Sequence, residues 1–398
     1  MKSKLKVIKF KNFITLKRGY DLPTRKRNNG DVPVLSSSGI SSNHNESKVN
    51  GPGVITGRSG LIGSVYYIRK EFWPLNTTLY VTDFKGNNPL YVYYKLKTIN
   101  LKNFATGSSV PTLNRNHLDS INVNIHDKED QKKQVFILEK IDKKIDLNQQ
   151  IIANLEELSQ TLFKRWFVDF EFPNKDSNPY KSSGGEMVDS ELGEIPKEWQ
   201  VVKLETLIDN IKDRINAKSV SSNFPYVPID LIPKRKLTFY NYKDGKEAKS
   251  SLIKFKRNDI LLGNMRVYFH RVCLAPFEGL TRNTVFTLRP KNEKYTYYLI
   301  NLINKDEFIE YASNNSKGST MPYAVWEGVL DKIKVIKPPL NYLNQFNSKI
   351  KNNFELSISL LEQNRKLATL RDTLLPKLMS GEIEIPDDIE VNMDELSI

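Results

Sequence analysis

The side chains in this sequence that could do chemistry are mostly arginines and lysines set among small polar residues in turns. In the N-terminal part they are Lys17, Arg18, Arg25, Lys26, Arg27, Arg58, Ser59, Thr112 and Arg115. In the C-terminal part they are Lys212, Arg214, Lys234, Arg235, Lys236, Arg266, Arg271, Arg282, Lys317 and Ser319. A guanidinium is a planar fork of donors that matches the O6/N7 edge of guanine, and each such contact carries about 1–3 kcal/mol of base discrimination. Lysines on phosphates set affinity without reading sequence. Arg58 and Arg266 lead the candidates, each in a tight turn or strand in the middle of its region. The plain alternative for any one of these residues is a solvated surface charge.

Other chemistry is not encoded. His44, His117, His126 and His270 are scattered, with no pair at metal-ligand spacing. No G-x-x-x-x-G-K-[ST] phosphate loop occurs. The glycines of Gly57-Arg58-Ser59-Gly60-Leu61-Ile62-Gly63 superficially suggest a dinucleotide loop, but no helix follows and hairpin turns account for them better. Ser177-Asn178-Pro179-Tyr180 resembles the signature of amino-methyltransferases. It lacks one proline, lies in a polar stretch and follows no strand–glycine–helix methyl-donor site, so it is rejected. The expectation is a non-catalytic binding protein without a metal or cofactor of its own.

The elements that must position these residues come in two sets. Val54–Ile68 reads as strands punctuated by glycine turns, Trp73–Val81 as a further strand, and Leu90–Leu96 as a short helix. Asp259–Arg266 reads as a strand of the second set. From Lys128 to about Asp169 there is neither Pro nor Gly, and apolar residues recur three, four or seven apart. This predicts one helix with a seam formed by Leu138, Ile145, Ile152, Leu155 and Leu162, with Leu158 on the same stripe. A second such helix carries Ile350, Phe354, Leu361, Leu367 and Leu374, with Leu370 on its stripe. Pro338-Pro339 marks its start, Gly381 its end, and Pro376 should kink its last turn. A narrow stripe on so long a helix needs a partner, and mutual antiparallel packing supplies one.

The two sets are copies. Gly107-Ser108-Ser109-Val110-Pro111 returns as Gly318-Ser319-Thr320-Met321-Pro322, and Leu118-Asp119, Ile121 and Val123 return as Leu330-Asp331, Ile333 and Val335. Lys6–Phe10 returns as Gln200–Leu204, and Val32-Pro33-Val34-Leu35 as Phe224-Pro225-Tyr226-Val227. The expected fold is α+β: two mixed β-rich globules with pseudo-two-fold symmetry, separated by two long antiparallel helices. The boundaries are 1–127 and 197–338 for the globules and 128–169 and 339–380 for the helices. A linker spans 170–196, and an acidic tail spans 381–398.

The chain of 398 residues has a formal net charge of +14 and a pI near 9.4, which makes an acidic polymer the leading class of partner. The lone Cys273 excludes an internal disulfide and reads as a buried thiol in a reducing compartment. No signal peptide or membrane-spanning run is visible, so the expected location is the cytoplasm.

Several motifs together are similar to those of a known family, the specificity subunits of type I restriction–modification enzymes. The resemblance is carried by Gly57-Arg58-x-Gly60-x-Ile62-Gly63, the two Gly-Ser-Ser/Thr-x-Pro segments, the long helices, and the junction Ser182–Trp199. It covers essentially the whole chain and implies two target-recognition domains, each reading one half of a bipartite, asymmetric DNA sequence. It also implies helices that fix the spacer and dock two modification subunits, which bind S-adenosylmethionine and methylate adenine. Two restriction subunits would supply ATP-driven and Mg-dependent translocation and cleavage. The competing reading is a coiled-coil adaptor that joins proteins without touching DNA. A self-contained methyltransferase or nuclease is the third.

Overall fold

The computed structural model describes residues 5–107, 111–220, 223–249 and 251–386. The chain divides into two compact units, one of Met1–Lys144 with Leu367–Ile398 and one of Ile145–Lys366. Both divisions fall inside the long helices, Lys128–Phe167 and Leu340–Ser380, so each unit holds a segment of both.

In the first unit, Lys6–Lys9 pairs antiparallel with Asn122–Ile125. A four-stranded antiparallel sheet runs in the order Thr15–Arg18, Thr78–Asp83, Gly53–Gly57, Val65–Ile68. Val32–Ser36 lies between Gly39–His44 and Trp73–Pro74 and is parallel to the latter. The strand expected across Trp73–Val81 is therefore two strands. The Thr78 hydroxyl donates to the Leu75 carbonyl at 2.7 Å across the break. The helix Pro89–Thr98 starts where Asn88 Oδ1 accepts from the backbone of Leu90 and Tyr91, with Pro89 in the first turn. Its Tyr91, Val92 and Tyr94 are buried with Phe10, Phe13 and Val54, and the long helices contribute Leu138, Leu375 and Leu378 to the same core.

The second unit repeats this wiring. Gln200–Lys203 pairs with Lys334–Lys337. A four-stranded sheet runs Ile208–Ile211, Val285–Pro290, Ile260–Gly263, Val272–Leu274. Pro225–Tyr226 again makes the parallel pairing, with Gly279–Arg282. The duplication read from short motifs thus extends to strand order.

Each long helix forms because its ends are signalled and its interior contains no glycine. Asp127 Oδ1 accepts from the Asp130 backbone at 2.9 Å, and Glu129 and Asp130 lie in the first turn, where carboxylates suit the helix dipole. The second helix runs through Pro376 to Ser380 and stops at Gly381, which adopts φ +74°. At about 1.5 Å per residue these helices are about 60 Å long.

The seam differs from the expected apolar stripe. Leu138, Ile152, Ile350 and Phe354 are buried, whereas Ile145, Leu155, Leu162, Leu361, Leu367 and Leu374 are half-buried. Leu158 and Leu370 are exposed. Positions closer to the axis are polar: Asn148, Ser159, Ser357 and Asn364 are all buried. In the second unit Asn148 Nδ2 donates to Asn364 Oδ1 at 2.8 Å and to Gln363 Oε1 at 2.6 Å, and Asn353 Nδ2 donates to Ser159 Oγ at 3.3 Å. In the first, Arg371 Nη1 donates to Asp142 Oδ1 at 2.7 Å and Gln134 Nε2 to the Leu378 carbonyl at 3.2 Å. Within each unit the paired positions rise along one helix as they fall along the other, an antiparallel arrangement. Hydropathy periodicity finds the leucines and passes over the amides, because a polar residue on the stripe looks like a gap.

Two boundary regions contain packed chain. The stretch 170–196 is a folded part of the second unit: Phe172 is fully buried and stacks on Trp199 and Tyr180, and Met187–Val188 pairs with Ile195–Pro196. Of the acidic tail, Ile383 and Ile385 pack on the first unit's core, and residues 387–398 lie outside the described residues.

Replacing Asn148 or Asn364 singly by Leu should destabilise the second unit by about 1–3 kcal/mol, because a buried amide loses its partner. Replacing both should cost well under the sum. Urea midpoints of the two single variants and the double variant measure this; strictly additive losses would contradict a direct amide–amide coupling.

Candidate nucleic-acid interface

In the first unit the strand Gly53–Gly57 ends where a side chain cannot fit. A Cβ on Gly57 would lie 2.0 Å from the Leu61 carbonyl oxygen, so glycine alone lets this hairpin close. Arg58 follows directly. Its N–H donates to the Thr77 carbonyl at 2.8 Å and its carbonyl accepts from the Leu113 N–H at 2.8 Å. Ser59 forms a β-bridge to Thr112, the residue after Gly107-Ser108-Ser109-Val110-Pro111. Within that motif Ser108, Ser109 and Val110 lie outside the described residues. Arg18 sits opposite Leu79 on the adjoining strand, and Arg115 Nη1 reaches the Leu16 carbonyl at 3.4 Å. Lys17, Arg18, Arg58, Ser59, Thr112 and Arg115 therefore come together around one end of the four-stranded sheet, with Lys17 Nζ 5.6 Å from the Tyr20 ring.

The second unit builds the same junction. The sequence places Arg266 on a strand, but the strand stops at Gly263 and Arg266 occupies a left-handed turn with φ 48°. Its N–H donates to the Pro322 carbonyl at 2.7 Å, and its carbonyl accepts from Phe269 at 2.8 Å. Met265 bridges to Tyr323, the residue after Gly318-Ser319-Thr320-Met321-Pro322. Lys317 and Tyr323 exchange two backbone hydrogen bonds, each 2.9 Å, across this loop. Left-handed backbone costs a non-glycine residue about 1–2 kcal/mol, so these bonds hold Arg266 in a conformation it would not choose alone. In both units, then, an exposed or half-exposed arginine turn is clamped by backbone bonds to the repeated Gly-Ser-x-x-Pro loop. Arg18, Arg115, Arg266 and Lys317 form no ion pair among the described residues, and Ser319 is exposed on the same loop.

Other candidates have structural ties. Arg27 donates to the Leu22 carbonyl and to Ser42 Oγ at 2.8 Å, pinning its turn to the strand Gly39–His44. Arg25 and Lys26 are exposed in that turn. Arg235 pairs with Asp306 at 2.8 Å, Lys212 with Glu327, and Lys236 lies 3.7 Å from the buried Glu156. Arg271 donates to the carbonyls of Asp230 and Ile232. Lys234 covers the Phe269 ring at 4.2 Å. Arg282 contacts the Tyr226 hydroxyl, and Arg214 is exposed on a strand of the other sheet. What the sequence reading missed is apolar: Tyr268, Met321 and Tyr323 are each about half exposed beside Arg266. A search for charges skips them, although Met321 and Tyr323 flank the proline of the repeated motif.

Among the described residues no group of three or more His, Cys, Asp or Glu is placed to hold a metal ion. His44, His126 and His270 are buried and engage Asn28, Tyr91 and Asn304 respectively. Cys273 is fully buried, which pushes its thiol pKa up and keeps it from acting as a nucleophile. Among the described residues no helix is long and apolar enough to cross a membrane.

The fold is shared with a solved structure, the S subunit of the type I restriction–modification system from M. genitalium. It matches with a TM-score of 0.61 at 12% identity over 94% of this chain and 96% of that one. A family model for the type I restriction modification DNA specificity domain matches residues 2–157. The chain is 28% identical over 313 residues to the type I restriction enzyme MjaIX specificity subunit of Methanocaldococcus jannaschii, covering 75% of this chain and 69% of the relative. It is 24% identical over 329 residues to the HindI specificity subunit of Haemophilus influenzae, covering 69% and 71%. Over these stretches the chain is similar to type I restriction–modification specificity subunits.

The two classes of arginine separate in a stability measurement. Arg27→Ala and Arg271→Ala should each lower stability by about 1 kcal/mol through lost hydrogen bonds, and Arg235→Ala, whose ion pair with Asp306 is exposed, by roughly 0.2–1 kcal/mol. Arg266→Ala and Arg18→Ala should stay within about 0.5 kcal/mol of the parent, as surface substitutions do. Thermal unfolding of the five variants checks this, and a large loss at Arg266 would mean that its side chain is structural.

Proposed function

We propose that this chain is the non-catalytic DNA-recognition subunit of a type I restriction–modification complex, each unit reading one half of a bipartite, asymmetric target. The observation that supports it most is the clamped arginine turn, which recurs beside the same repeated loop in both units. In this reading Arg58, Arg18 and Arg115, with Ser59 and Thr112, serve one half-site; Arg266, Lys317 and Ser319 serve the other. Arginines contribute base discrimination, and the remaining cations contribute phosphate affinity. The long helices set the separation of the half-sites and dock two modification subunits. S-adenosylmethionine, ATP and Mg are then the business of the modification and restriction subunits, and this chain binds no cofactor itself. The adaptor reading accounts for the helices but leaves two clamped basic turns without a purpose.

Mapping methylated adenines in host DNA with the gene present and absent should reveal one bipartite motif that depends on the gene. A complex with the modification subunits should bind that motif with affinity falling steeply as salt rises, because phosphate contacts release counterions. A salt-independent partner complex without sequence preference would favour the adaptor.

The ruler role has its own test. Adding or removing about four residues within 138–162 lengthens or shortens the helix by about 6 Å. The preferred spacer should change or modification should be lost; an unchanged spacer would remove the helices from this role.

A further inference from the structure

The two clamped turns are built alike but present different chemistry. Next to the first, the bridge is made by Ser59 and Thr112, both polar. Next to the second, it is made by Met265 and Tyr323, and Tyr323, Met321 and Tyr268 are 47%, 52% and 51% exposed. Scattered exposed apolar residues need no explanation, but three around one turn form a patch. This patch is also pinned: Tyr323 is held through both its N–H and its carbonyl by Lys317, and Arg266 is tied to the Pro322 carbonyl between Met321 and Tyr323. A surface already fixed in place loses little conformational entropy when it is covered. Its flanking charges, Arg266 and Lys317, are exposed and form no ion pair among the described residues, which suits a polyanion.

Only one apolar group is displayed at the base edges of the major groove, the 5-methyl of thymine. We propose that the second unit reads its half-site partly through thymine, with Met321 and Tyr323 forming the apolar face that receives a 5-methyl group beside Arg266. In the first unit the bridge carries the hydroxyls of Ser59 and Thr112 instead, and Val110, which the repeat aligns with Met321, lies outside the described residues. This inference rests on the reading of the clamped turns as the DNA-facing surface. It adds that methyl contact joins hydrogen bonding in the half-site that the second unit reads.

The test uses the full chain in complex with its modification subunits and duplexes carrying the mapped target. Thymines are replaced by uracil in one half-site at a time, which deletes the methyl groups and leaves base pairing intact. Burial of one methyl-sized group predicts about a fourfold weakening for uracil in the half-site that the second unit reads. With Met321→Ser and Tyr323→Thr together, the complex should bind the thymine duplex more weakly and no longer distinguish uracil from thymine in that half. Should that variant not assemble, Met321→Ala alone, at an exposed position, should reduce the thymine-to-uracil ratio. The inference is overturned if the parent complex ignores uracil in both halves, or if the variants keep the parent's ratio. A parent complex with no sequence preference at all would instead reject the DNA-reading function itself.

Discussion

The structure depends on the fact that the two long helices cannot stand alone. Their mutual seam is too polar: Asn148, Ser159, Ser357 and Asn364 occupy buried positions where a self-sufficient coiled coil would carry leucine or isoleucine. Buried amides fix register because a shift separates donors from acceptors, but they contribute less than apolar packing would. Stability must come from elsewhere, and the apolar residues near the helix ends show where. Leu138, Leu375 and Leu378 are built into the first unit's core, and Phe163, Phe346, Ile350 and Phe354 into the second's. At about 1.5–3 kcal/mol for each fully buried large side chain, these anchors outweigh the amide contacts between them.

Polar anchoring obeys the same logic. Each unit grips the first long helix through a buried carboxylate. Glu139 accepts from Arg69 in the first unit, and Glu156 accepts from the backbone of Leu237 and Thr238 and the Thr238 hydroxyl in the second. Burial pushes the Glu156 pKa up while those three donors push it back down. In the first unit Lys95, its ammonium lowered to about 8 by burial, donates to the Met379 carbonyl at the end of the second helix. A lysine there satisfies one of the carbonyls that every helix leaves unpaired at its C-terminus.

Much of this was legible in the sequence because it rests on local rules. Prolines, glycines and apolar periodicity delimit both helices, and the repeated motifs announce the repeated strand order. The polar seam was hidden because Asn148 and Asn364 lie far apart in sequence and gain meaning only when paired. The folded stretch after Phe170 was hidden for a related reason: its composition is that of a linker, while its order comes from Phe172 stacking on Trp199. For the site, sequence singled out Arg58 and Arg266 but could not separate free guanidiniums from tied ones. Arg271 and Arg27 look like surface charges until the carbonyls that they cap are seen.

The duplicated frame also explains how the two sites can diverge without loss of fold. Each clamp is made of backbone hydrogen bonds, and backbone bonds place no demand on the side chains they fix. Ser59 and Thr112 can therefore occupy the bridge that Met265 and Tyr323 occupy in the other unit. What the frame does constrain is glycine: Gly57 for the close approach of Leu61, and Gly107 and Gly318 for backbone with φ of +108° and +89°. A scaffold that fixes its turns through the main chain leaves the exposed side chains open to selection by whatever binds there. Two copies of such a scaffold can therefore come to present different surfaces while their cores stay the same.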